Sequence, residues 1–85
     1  MPWFLYILQS ELNEMYYVGI SPNIVHRLEF HNHLGHGFTS RYRPWKLVYT
    51  KEYPTRQLAQ AAEKQIKARK SKEYIKRIID HSIDP

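Results

Sequence analysis

Two short apolar runs near the start, Trp3-Phe4-Leu5-Tyr6-Ile7-Leu8 and Met15-Tyr16-Tyr17-Val18-Gly19-Ile20, constrain the fold more than any other feature of the chain. Both are rich in aromatic and branched residues. The polar stretch between them, around Ser10-Glu11-Leu12-Asn13-Glu14, has a length that suits an antiparallel hairpin. In such a hairpin Tyr6 and Tyr17 lie near one another on neighbouring strands, while Gly19 lets the backbone turn or approach a ligand closely. Tyr16, on the opposite face, is assigned to packing. An alternating aromatic strand is by itself most often half-buried sheet, so these tyrosines acquire a chemical meaning only from the residues that follow.

After the hairpin, Ser21-Pro22 predicts a helix start, with the serine as cap and proline at the first helical position. The helix is expected from Pro22 to His33, with Gly35 as its stop. Ile24, Leu28 and His31 recur at i, i+4 and i+7 and Val25 widens the stripe, which faces the sheet. A loop over 35–44 leads into a third strand, Trp45-Lys46-Leu47-Val48-Tyr49-Thr50-Lys51. Pro54-Thr55 opens a second helix with Leu58, Ala62 and Ile66 inward, Ala59 alongside, and Lys64, Lys67 and Arg69 toward solvent. Ser71 caps a third helix carrying Tyr74, Ile75, Ile78 and Ile79, and the tail after Asp80 is expected to fray. At 85 residues the chain has room for one modest core, hence one domain over 1–85 with its motifs within 3–79.

With no cysteine, neither a disulfide framework nor a thiolate zinc site is available. No apolar run approaches the roughly 20 residues of a membrane span, and the start lacks a cationic leader, so a soluble cytoplasmic protein with no membrane partner is expected. A net charge of +5 and a pI near 9.6 favour an anionic partner, nucleic acid above all.

Arg27 and His31 lie four positions apart on the first helix, so guanidinium and imidazole share a face. Together they offer a phosphate permanent donors and a proton-transfer group. A surface arginine beside a histidine that merely continues the apolar stripe explains the same spacing. Glu63 sits about 60° around the second helix from Ile66 at 100° per residue, half turned inward. A lone carboxylate there suffices for a hydrated divalent cation such as Mg²⁺, and equally for an i,i+4 ion pair with Lys67. His31, His33 and His36 bring no cysteine or acid with them and match no common zinc spacing. In Arg41-Tyr42-Arg43-Pro44-Trp45-Lys46, cations alternate with aromatic faces, a pattern suited to phosphates and unpaired bases, which makes Arg41, Arg43 and Lys46 candidate nucleic-acid contacts.

Taken in order, Tyr6, then Tyr17-Val18-Gly19, then Arg27 and His31, then Glu63 resemble the GIY-YIG nuclease family, and most closely its small stand-alone members, which are similar to the N-terminal nuclease domain of the nucleotide-excision-repair excinuclease. The resemblance runs from Phe4 to about Ile79. It implies an α+β fold, a three-stranded antiparallel sheet flanked by about three helices, and metal-dependent hydrolysis of a nucleic-acid phosphodiester. The two motif tyrosines correspond to Tyr6 and Tyr17, both near the attacking water. The helix arginine corresponds to Arg27, the histidine or tyrosine one turn later to His31, and the metal-binding glutamate to Glu63. Phe4-Leu5-Tyr6 replaces the Gly-Ile-Tyr of the first motif, a departure that bears on strand geometry.

The expected activity is a Mg²⁺- or Mn²⁺-dependent endonuclease acting on structured or damaged DNA, with DNA preferred to RNA and targeting supplied by a protein partner or by the basic surface. A nucleic-acid-binding module without cleavage is the alternative. In the enzyme, Mg²⁺ on Glu63 neutralises the phosphate, Arg27 holds developing charge, and Tyr17 accepts the proton of water.

Overall fold

The computed structural model describes residues 1–34 and 37–85. Its three-stranded antiparallel sheet has the order β2–β1–β3, with β1 (Trp3–Ser10) in the centre, β2 (Tyr16–Ser21) on one edge and β3 (Trp45–Tyr53) on the other. The expected hairpin is present. Its register pairs Tyr6 with Gly19, Ile7 with Val18 and Leu8 with Tyr17, and the Ser10 N–H closes the loop by donating to the Met15 carbonyl at 2.9 Å. Because strand side chains alternate, Tyr6, Leu8, Tyr17 and Gly19 share one face and Leu5, Ile7, Tyr16 and Val18 the other. Phe4 pairs regularly with Ser21 and Glu52, so the missing motif glycine does not interrupt β1; the ladder's irregularity lies at Ile7/Leu8, on the β3 side.

Four helices cover the sheet: α1 (Ile24–Glu29), which passes into a π-helical turn over Phe30–Leu34, α2 (Phe38–Arg41), α3 (Arg56–Arg69) and α4 (Lys72–Ile79). On one face Leu5, Ile7 and Val18 meet Ala62 and Ile66 of α3 and Ile78 of α4, with Tyr16 packed alongside. On the other, Tyr6, Leu8 and Trp45 lie against Ile24, Leu28, Met15 and Tyr17. Leu5 through Leu8 are therefore all buried, as a central strand covered on both faces requires. Each such side chain contributes roughly 1.5–3 kcal/mol.

Several local expectations give way to tertiary demands. Ser21 remains in β2 opposite Phe4, and its hydroxyl accepts from the Asn23 N–H at 3.0 Å, so the cap of α1 falls to Asn23, whose Oδ1 accepts from the His26 N–H at 3.0 Å. Val25 is 78% exposed and Leu58 51% exposed. In α3 the smaller Ala59 and Ala62 face the sheet with Ile66, which turns Leu58 outward. Part of the expected loop forms α2, held by the Trp45 indole N–H donating to the Thr39 carbonyl at 2.7 Å. Gly35, the expected helix stop, and His36 lie outside the described residues.

Thr55 and Ser71 cap α3 and α4, accepting from the N–H groups of Leu58 and Tyr74. The tail is anchored instead of frayed. Ile83 packs on the core, Lys51 pairs with Asp84 at 2.7 Å, and the Tyr53 hydroxyl donates to the Pro85 carbonyl at 3.4 Å. Among the described residues no helix is long and apolar enough to cross a membrane.

Candidate active site

The site begins where β1 and β2 run side by side. Tyr6 stands opposite Gly19, and its phenol lies across the glycine: a Cβ at position 19 would come within 2.5 Å of the Tyr6 hydroxyl oxygen, 2.7 Å of its Cζ and 3.1 Å of Cε1 of Tyr17. The glycine is therefore neither a turn nor an opening for a ligand. It is the space in which Tyr6 is seated. The rings of Tyr6 and Tyr17 are 6.3 Å apart, tilted by 35°.

α1 and its π turn bring in Arg27 and His31. His31 is 2% exposed and Tyr6 1% exposed, and Nε2 of the imidazole lies 3.0 Å from the Tyr6 hydroxyl. The Tyr17 ring packs on the imidazole at 4.6 Å between centroids. The Arg27 guanidinium also lies close enough to the Tyr6 phenol to lower its pKa, and its guanidinium carbon lies 4.6 Å from the centre of the Phe30 ring. Four of the sequence-predicted residues, Tyr6, Tyr17, Arg27 and His31, thus form one contiguous cluster.

Two residues not assigned to the site by sequence hold His31 in place. The Arg43 Nε–H donates to the His31 carbonyl at 2.6 Å. Asn32 clamps the next residue to β3: its Oδ1 accepts from the Trp45 N–H at 2.6 Å and its amide donates to the Trp45 carbonyl at 3.1 Å. An asparagine between two histidines at a helix end carries no pattern that announces this clamp. Arg43, expected at the nucleic-acid surface, is half-buried in this structural contact, whereas Arg41 and Lys46 are exposed.

Electrostatics fix the protonation states. Burial, then the charges of Arg27 and Arg43, depress the His31 pKa to about 4, so the imidazole is neutral near pH 7. Burial raises the Tyr6 pKa, against the hydrogen bond from Arg27. A guanidinium can only donate, so toward Arg27 the Tyr6 oxygen is the acceptor, while the direction of its bond with Nε2 of His31 follows the imidazole tautomer. Nδ1 of His31 is buried without a partner among the described residues. Tyr17 is the more accessible phenol, half-buried, with no hydrogen bond to its hydroxyl among the described residues.

Glu63 projects from α3 with its side chain 20% exposed and pairs with Lys67 at 3.2 Å. Its charge reaches the cluster, where it contributes to the raised pKa of Tyr6. Lys67, expected to face solvent, also places its ammonium 5.8 Å from the centre of the Tyr17 ring. Among the described residues no three His, Cys, Asp or Glu side chains gather as a metal cage. One half-buried carboxylate fits a hard cation that keeps several waters and takes substrate oxygens. It does not fit a structural zinc site.

The chain matches the family model of the GIY-YIG catalytic domain over residues 2–77. No curated protein matches it by sequence. Among solved structures, the solution NMR structure of a UPF0213 protein from Bacillus halodurans is similar in fold, with a TM-score of 0.61 and 21% identity over 100% of this chain and 89% of that one.

Proposed function

The chain belongs to the GIY-YIG family, whose domain is a nuclease domain, and from this we propose that it is a Mg²⁺- or Mn²⁺-dependent endonuclease that hydrolyses phosphodiester bonds in structured or damaged DNA. The observation that carries the reading is the cluster of Tyr6, Tyr17, Arg27 and His31, with Glu63 electrostatically coupled to it.

Hydrolysis of a phosphodiester concentrates negative charge on the non-bridging oxygens and the leaving oxygen. A divalent cation held by Glu63 supplies neutralisation of that charge when bound. Arg27 keeps guanidinium donors beyond the one on Tyr6, and these suit a phosphate oxygen. Tyr17 is the phenol that water can reach, and after giving up its own proton to solvent it takes, as the phenolate, the proton of the attacking water. Tyr6 and His31 are buried, so their part is positioning: Tyr6 orients Arg27, and the neutral imidazole supports the Tyr17 ring without adding a competing cation. Exposed Arg41 and Lys46, together with the net charge of +5, hold backbone phosphates outside the site. DNA is the preferred substrate, with its targeting supplied by a protein partner or by the basic surface.

One observation favours a second reading, a nucleic-acid-binding module without cleavage: Lys67 already occupies Glu63. An i,i+4 pair of this kind, its lysine half exposed, is worth only about 0.3–0.5 kcal/mol. Incubation with duplex, flap, single-stranded and RNA substrates, with and without Mg²⁺, separates the two. Metal-dependent cutting supports the nuclease; salt-sensitive binding without cutting supports the module.

A further inference from the structure

A groove of about 340 Å³ opens between β2 and the junction of α3 with α4. β2 is an edge strand, so its outer side pairs with no other strand of the sheet. Tyr16, Val18, Ile66 and Ile75 line the groove together with Lys67, Lys70 and Lys72. Lys70 and Lys72 are exposed and make no ion pair among the described residues. The groove adjoins the cluster described above through two shared residues. Tyr17 lines it and packs on His31 with the rings tilted, and Lys67 lines it and pairs with Glu63.

We propose that this groove receives an unpaired nucleotide next to the bond that is cut, its base against the apolar walls and its phosphates on Lys70 and Lys72. The proposal rests on the nuclease reading and narrows its substrate to DNA with single-stranded or displaced nucleotides at the cleavage position. Two features select this occupant. The apolar walls with an aromatic ring suit a flat, largely apolar body, and the unpaired cations call for negative charge beside it. A nucleotide joins both in one unit. A base stacked within duplex DNA has both faces covered, so only an unpaired or extruded base can present one to Tyr16. Inorganic phosphate leaves the apolar walls bare, and an acidic peptide offers no base to lie on them.

The test is an NMR titration of the metal-free protein, following backbone amides with a 5′-phosphorylated thymidine dinucleotide, its abasic counterpart, inorganic phosphate and a tetraglutamate peptide as separate probes. The dinucleotide is expected to shift Tyr16, Tyr17, Lys70, Lys72 and Ile75 saturably, and the abasic probe to bind about fivefold more weakly or worse, the loss that removal of one base–aromatic stack produces. Lys70→Ala with Lys72→Ala should weaken dinucleotide binding severalfold while leaving the remaining spectrum of these exposed positions unchanged. Equal binding of the abasic probe, phosphate or peptide overturns the proposal, as do shifts confined to Arg41 and Lys46. No bond is cut in this titration, so its failure leaves the cleavage reading standing, and failure to cut leaves the groove result standing.

Discussion

The Tyr6 hydroxyl lies 3.0 Å from Nε2 of His31, and both side chains are almost wholly buried. The contact joins the central strand to the turn that follows α1, so it serves fold and site together. Tyr6→Phe keeps the ring but leaves both imidazole nitrogens without partners. The expected cost is about 1–3 kcal/mol of stability, read by urea unfolding, with slower cleavage because Arg27 loses its phenol anchor. Unfolding identical to wild type contradicts this role.

Gly19→Ala puts a methyl carbon where the Tyr6 phenol lies, 2.5 Å from its oxygen and 2.7 Å from Cζ. Tyr6 is itself buried, in one cluster with Leu8 and Trp45. Overpacking of this kind costs about 1–3 kcal/mol. Thermal unfolding should show it, and the Tyr6, Tyr17 and His31 ring resonances should move together. A variant with unchanged stability and ring shifts shows that Gly19 is not the seat of Tyr6.

The depressed pKa of His31 makes stability depend on pH. The folded chain holds the imidazole neutral down to about 4, whereas the unfolded chain takes up a proton near 6.5. Between those values the unfolded state binds more protons, so this contribution is fully present above about 6.5, falls as pH drops, and is lost below about 4, a change of at most roughly 3 kcal/mol. Denaturant unfolding of the metal-free protein from pH 4 to 7 should show stability rising with pH. His31→Gln should flatten that slope, and an unaltered slope contradicts the assignment.

Lys67 competes with any cation for Glu63, given their 3.2 Å contact. Lys67→Ala should change stability by no more than about 0.5 kcal/mol. In Mn²⁺ titrations, paramagnetic broadening around Glu63 should appear at lower metal concentration than in wild type. Broadening that needs more metal instead contradicts the competition.

Strand periodicity and the polar connection made the hairpin readable, because the alternation that buries Tyr16 and Val18 on one face necessarily places Tyr6 and Tyr17 on the other. The caps Thr55 and Ser71 were readable because each precedes an amphipathic run with nothing else competing for the residue. Ser21 was not, since its pairing with Phe4 overrides its capping propensity. Val25 and Leu58 mislead for a related reason: a stripe fixes which residues can face the sheet, and contact with the sheet decides which do. Asn32 and Arg43 act through backbone groups of Trp45 and His31, partners 13 and 12 positions away, so no local pattern encodes them. The seat of Tyr6 on Gly19 emerges only once the strand register is known.

Glu63→Gln separates a glutamate that holds the metal at which a phosphodiester is cut from one that only pairs with Lys67. The change removes one charge from a side chain whose only ion pair among the described residues is with Lys67, so the fold should be retained within about 0.5 kcal/mol. Single-turnover cleavage of a flap substrate in Mg²⁺ should fall by more than the roughly 10–100-fold that follows loss of an outer partner of a metal ligand. Mg²⁺-dependent cutting at the wild-type rate by a folded Glu63→Gln variant would show that Glu63 does not hold the catalytic metal.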